Sequence, residues 1–211
     1  MKLYLSSYRL GADTAGLMNL VEKPNARVAV IDNARDFSND LERKANSLAF
    51  DMSQIRSLEY KPEHVDLRNY FSKPSQLVYD LEKFDMLWVT GGNAFILLKA
   101  MKQSGFSLVI DKLIKTNKVV YAGYSAAVCV ISPTLDGAEL VDDKDAKAVG
   151  YKDRILWNGY GLIDFYPIVH YKSDHPESES ADKELEYIIS KGRTYKTFRD
   201  GETLIINTNL V

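Results

Sequence analysis

"KVVYAGYSAAVCVISP", residues 118–133, opens as an apolar strand, halts at Gly123, displays Ser125 and continues in small residues that suit a helix. A buried strand that turns directly into a helix is a building block of parallel sheets. The hydroxyl at the junction has two readings. It is a helix cap, a position where serine is common, or it is a nucleophile lifted clear of a tight turn, as in the G-x-S-x-G elbow. Gly123-Tyr124-Ser125-Ala126-Ala127 fits the elbow except at its last position, where Ala127 replaces glycine. Small residues must flank the serine because strand and helix approach closely there. The helix N-terminus then presents the Ala126 N–H to a developing oxyanion.

Outward from this stretch, short apolar strands alternate with amphipathic helices. "KLYLSS" (2–7) and "ARVAVIDN" (26–33) read as strands, the second buried on both faces, with a short helix at Thr14–Val21 between them, ended by Pro24. A longer helix, with Ser38 as N-cap, puts Leu41, Ala45, Leu48, Ala49, Met52 and Ile55 on one stripe. "HVDLRNY" (64–70) is a weaker strand or loop, and Lys73–Lys83 a short helix. "FDMLWVTGGN" (84–93) is a buried strand ending in glycines. Helices follow at Asn93–Gln103 and in "SLVIDKLIKTN" (107–117). Beyond Pro133 an acidic, irregular stretch runs to Tyr151, then "GLIDFYPIVHY" (161–171) and a helix at Ala181–Ser190 stopped by Gly192. Asp200-Gly201 reads as a hairpin turn between two closing strands.

This alternation predicts an α/β chain: one domain over residues 1–211, a three-layer sandwich with a mostly parallel sheet flanked by helices. Ligands of such sheets gather at the carboxyl ends of the strands. Thr90–Asn93 and Gly123–Ala127 both stand there.

The 27 basic and 29 acidic residues leave a net charge of −2, which gives no electrostatic reason to expect nucleic acid. The longest nearly apolar run, Val119–Ile131, falls short of the roughly 20 residues a bilayer requires. The N-terminal "MKLYLSSYRLG" alternates apolar and polar residues, and so reads as a strand and not a signal peptide. A single cysteine, Cys129, allows neither a disulfide framework nor a cysteine-based metal site within one chain. These features fit a soluble, cytoplasmic protein, monomer or homodimer.

A serine nucleophile needs a base, and the chain has three histidines. His170 ends the strand-like "DFYPIVH", level with the elbow. His64 reads as an exposed loop residue, and His175, in the polar "SDHPES", as a solvated one. The imidazole in turn needs an orienting carboxylate. Asp136, Glu139, Asp142, Asp143 and Asp145 lie between serine and histidine, and spacing does not choose among them. In "VTGGNAF" (89–95), Gly92 offers a second oxyanion donor. A phosphate loop is disfavoured there, because no Gly-Lys-Ser/Thr follows. A metal site from His170, Asp174, His175 and Glu177 matches no standard spacing.

Taken together, "VTGGNAFILLKAMKQSG", "VVYAGYSAAVCVISPTL" and "GLIDFYPIVHY", in this order, resemble the peptidase E (aspartyl dipeptidase) family of serine peptidases, relatives of cyanophycinase. The resemblance covers residues 87–171 most closely. It implies a fold like that of class I glutamine amidotransferases, with Ser125 as nucleophile, His170 as base, and Gly92 and Ala126 as the oxyanion hole. It places the acid a dozen or more residues after the serine, in "ELVDDKDAK" (139–147). Asp142 is therefore the first choice, ahead of Asp143 and Glu139. No metal or organic cofactor is implied, and the implied partner is a short peptide substrate.

The sequence departs from the family at Ala127, at Val169 (where the family has proline), and in having no arginine between His170 and Arg193 to hold an aspartyl side chain, where only Lys172 and Lys183 could compensate. "KSDHPESESADKELEY" (172–187) is acidic, which argues against Asp-X specificity. The expected activity is hydrolysis of short peptides. The alternatives are an amidase or esterase using the same triad, or an inactive binding or regulatory homologue.

Overall fold

The computed structural model describes residues 1–208. Its strands are β1 (Lys2–Ser6), β2 (Arg27–Ile31), β3 (Lys61–His64), β4 (Met86–Val89), β5 (Val120–Tyr124), β6 (Tyr166–Ile168), β7 (Tyr195–Thr197) and β8 (Thr203–Asn207). Six of them form the main sheet in the order β3-β2-β4-β5-β1-β8. All neighbours in it are parallel except the β1–β8 pair.

Residues along each strand alternate between two cores, as the pleat demands. Leu3, Leu5, Leu87, Val89 and Tyr121 enter one core. Tyr4, Met86, Trp88, Ala122 and Tyr124 enter the other. The first face is covered by α3 (Pro74–Leu81), α4 (Ala94–Ser104), α5 (Phe106–Val109) and α6 (Ala126–Cys129), through residues such as Leu77, Leu97, Phe106 and Val128. The second is covered by α1 (Thr14–Val21) and α2 (Leu41–Arg56), through Leu17, Leu20 and Ile55. The result is a three-layer sandwich around a mostly parallel sheet. Each fully buried aliphatic side chain in it contributes roughly 2 kcal/mol. No helix among the described residues is long and apolar enough to cross a membrane.

Three local expectations are corrected. The long helix starts at Leu41, with Asp40 as its cap accepting the Arg43 N–H at 2.9 Å, and Leu41 stays 74% exposed. Only the later turns of α2 reach the core, where Ile55 and Asp51 are buried. The edge strand β3 occupies residues 61–64 and not 64–70, which instead hold a 3₁₀ turn at Leu67–Tyr70. Proline and charge within β3, at Pro62, Lys61 and Glu63, are what an unpaired edge tolerates.

The third correction concerns Asp200-Gly201, which makes no hairpin. β7 pairs with β6 in a separate two-stranded sheet, packed on α7 (Ser178–Ser190). β8 returns antiparallel along β1, with Thr203 opposite Ser6. That register brings the turn before β8 to the carboxyl end of β1, beside the ends of β4 and β5.

Candidate active site

β5 ends at Tyr124, and Ser125 follows with φ 52° and ψ −115°. A side-chain-bearing residue held in this region costs of order 1–3 kcal/mol. The conformation is fixed by the Ser125 N–H donating to Ser6 O at 3.2 Å, and by its carbonyl accepting the Val128 N–H at 2.8 Å. The hydroxyl does not cap α6. Nor does it make any other side-chain hydrogen bond among the described residues, so the helix-cap reading of Ser125 fails. A Cβ on Gly123 would lie 2.4 Å from Val89 O and 2.7 Å from Ala127 Cβ. The elbow therefore accepts a methyl at Ala127 because glycine stands opposite it.

Gly92 leaves β4 at φ +139°, and a Cβ there would meet Ala34 O at 2.7 Å. The next N–H, from Asn93, donates to Ala34 O at 2.9 Å, and the Asn93 side chain caps α4 through the Ile96 N–H. The strap is thus held at both sides of Gly92. Among the described residues, neither the Gly92 nor the Ala126 N–H is taken by a hydrogen bond. α6 has only four residues, so Ala126 offers a single donor and little helix dipole.

His170 lies just past β6 with φ 57° and is 2% exposed. Its backbone N–H donates to Ser7 Oγ at 2.8 Å, and its Nδ1 lies 2.7 Å from Asp200 Oδ1. Ser7 Oγ also donates to Asp200 Oδ1, at 2.8 Å, and so ties imidazole and carboxylate to the end of β1. With Nδ1–H donating to the carboxylate, the lone pair is left on Nε2. Burial, helped by His175, pushes the imidazole below its ordinary value of 6.5, against the pull of Asp200 and Glu177. The ring is neutral at pH 7, the state a general base requires.

The carboxylate at the imidazole's Nδ1 is therefore Asp200 and not Asp142. Asp142 is half-buried, accepts the Ala94 N–H at 2.8 Å, and its carboxyl is pushed up to about 7, chiefly by desolvation. Glu139 accepts the Gly137 N–H, and Asp143 the Asp145 N–H, so neither approaches the imidazole's Nδ1. His175 is not solvated: its ring stacks on His170, with centroids 3.7 Å apart and planes 7° from parallel. Nor is His64 a free loop residue, since its Nε2 lies 2.8 Å from the buried Asp32.

Ser125, His170, Gly92 and Asp142 line one cavity of about 340 Å³. Its opposite wall carries Arg9, Arg35, Arg43 and Lys44, residues distant in sequence from the motifs. Arg35 and Arg9 are paired with the fully buried Asp51, and Lys44 with Asp36. Arg43 has no carboxylate partner among the described residues. Of the acidic loop after His170, only Glu177 reaches the cavity, while Glu179 is spent on Lys183.

Donor atoms of His170, His175 and Glu177 lie within 4.8 Å of one another. The parallel ring planes keep the two in-plane imidazole lone pairs from converging on one ion.

The sequence model of Peptidase family S51 matches residues 16–209. An uncharacterized peptidase of Pasteurella multocida is 26% identical over 171 residues, covering 74% of this chain and 79% of its own. An uncharacterized peptidase of Listeria monocytogenes is 30% identical over 141 residues, covering 67% and 65%. Among solved structures, a peptidase E-like protein from Listeria monocytogenes EGD-e superposes with a TM-score of 0.68 at 21% identity, over 99% of this chain and 98% of that one. A peptidase from an acI-B1 actinobacterium gives 0.60 at 17% identity, over 87% and 74%. These structures share the fold described above. With the family matched along nearly the whole chain, the protein belongs to Peptidase family S51 and is a peptidase of the serine-hydrolase kind.

Proposed function

We propose that the protein hydrolyses short peptides through Ser125, His170 and Asp200, with the Gly92 and Ala126 N–H groups as oxyanion hole. One observation carries this reading: a strained serine, an imidazole held by a carboxylate and the free-N–H residue Gly92 line one cavity, with the free Ala126 N–H adjoining the serine.

Ser125 Oγ attacks the scissile carbonyl while its proton passes to His170 Nε2. The carbonyl oxygen gains the negative charge and is held by the two N–H groups. The C–N bond then breaks, the amine leaving with the proton from Nε2, and an acyl ester remains on Ser125. Water attacks that ester as Nε2 takes its proton. The acid leaves, and Nε2 returns a proton to Oγ. Ser125 Oγ makes no hydrogen bond to His170 among the described residues, so this reading requires that contact to form when substrate enters.

The cavity's charge bears on the substrate. Arg43, the cation without a carboxylate partner among the described residues, suits a carboxylate of the peptide, and Glu177 suits an amine. The argument against acidic side chains rested on the loop after His170. Arg43, from outside that loop, adds a cation to the same cavity.

Activity-based labelling tests the assignment. A fluorophosphonate probe is expected to label the wild type on Ser125 and to leave Ser125→Ala unlabelled. Peptide turnover is expected to vanish in Ser125→Ala while its circular dichroism stays native. An unlabelled wild type with native spectra would mean an inactive homologue. Turnover of p-nitrophenyl esters or simple amides, but of no peptide in a panel, would restrict the activity to those substrates.

A further inference from the structure

The later turns of α4 border a second cavity, of about 260 Å³, that shares no lining residue with the first. Its charged wall is Lys99, Lys102, Lys152 and Arg154, and no carboxylate lines it. None of these four cations is in a salt bridge among the described residues. Asp153, which lies between two of them in sequence, is paired with Lys147 at 2.9 Å.

Lys99 is the anomaly. It is 3% exposed, and its ammonium makes a single hydrogen bond, to Ala146 O at 3.3 Å. An ammonium carries three donors, and a buried charge is costly when the carboxylate that acts on it, Asp153, does so only at a distance and is paired elsewhere. An anion in the cavity would satisfy both demands.

The rest of the wall is organised in advance. Gln103 accepts the Lys152 N–H at 2.6 Å and donates to Gly150 O at 3.2 Å, which ties the segment bearing Lys152 and Arg154 to α4. Lys102 lies over the Tyr160 ring at 3.8 Å, held at the rim. Phe71 and Leu156 add apolar surface. Three lysines as point charges and one arginine able to bind in bidentate fashion match an oxyanion with more than one charge.

We propose that this cavity is a binding site for a small multivalent anion, phosphate or carboxylate in chemistry, separate from the site of peptide cleavage. The inference stands on Lys99 and its neighbours and does not depend on the role of Ser125.

Isothermal titration at fixed ionic strength tests it, with inorganic pyrophosphate and citrate as separate probes, since screening alone would mimic weak binding at low salt. Saturable binding of at least one probe is expected, and which one binds assigns phosphate or carboxylate chemistry. Lys99→Met is expected to weaken it at least tenfold. Arg154→Ala, an exposed change that spares the core, is expected to weaken it several-fold. Arg43→Ala, in the other cavity, should bind as tightly as wild type. Absence of saturable binding to either probe overturns the proposal. So does binding that survives both Lys99→Met and Arg154→Ala but is lost in Arg43→Ala.

Discussion

Ser125 combines a left-handed φ with a side chain that makes no structural hydrogen bond among the described residues, so its hydroxyl does nothing to offset the cost of its conformation. Two inactive variants separate that cost from chemistry. Ser125→Gly relieves the strain that Ser125→Ala retains, and is expected to be the more stable by ~1 kcal/mol in urea unfolding. Equal midpoints would mean that the turn is relaxed. His170 supports a second prediction. Because burial lowers its affinity for protons, the neutral base persists below the ordinary 6.5, and the acid limb of kcat/KM is expected beneath that value. Asp200→Asn removes the acceptor of Nδ1–H and permits the wrong tautomer, so turnover should fall about 10³–10⁴-fold with folding intact. The same loss in Asp142→Asn, with Asp200→Asn near wild type, would return the orienting role to Asp142.

At the scale of elements, the elbow depends on how closely β5 and α6 approach. Gly123→Ala would drive a methyl against Val89 O and Ala127 Cβ, and is expected to destabilise by roughly 1–3 kcal/mol in thermal or urea unfolding. The double change with Ala127→Gly should recover part of that loss. No recovery would show that the backbone contact with Val89 dominates. What the sequence discloses about this region follows from the same geometry. Strands buried on both faces read as apolar runs, and β4 and β5 are sheet neighbours, so two local motifs are enough to bring Gly92, Ser125 and Ala126 together. Asp200 is different. Its position depends on β8 pairing antiparallel with β1, and Asp-Gly carries the same turn signal whether it joins a hairpin or links two sheets. The cationic wall is hidden for a related reason: Arg9 and Arg35 stand just after β1 and β2, and only the sheet order sets them opposite the elbow. His175 looks solvated in a polar loop until the fold lays it on His170.

For the whole molecule, two carboxyls, Glu184 buried and Asp142 half-buried, couple stability to pH. Asp142 is pushed up to about 7 and Glu184 to about 8, each by burial first, and they border the same small void beneath Ser125. Between their ordinary values, 3.8 and 4.5, and these raised ones, the folded chain keeps protons that the unfolded chain has released. Their contribution is therefore complete at low pH and declines as pH rises toward about 8. Asp142→Asn with Glu184→Gln is expected to flatten the fall of Tm across that interval. A Tm profile as steep as that of the wild type would place the coupling elsewhere.

The antiparallel return of β8 along β1 also has a consequence for synthesis. The alcohol and imidazole are made before the aspartate that steadies the ring, and that aspartate is secured only when β8 docks on β1. On the proposed reading, cleavage power therefore waits on the pairing of two strands that stand far apart in the chain.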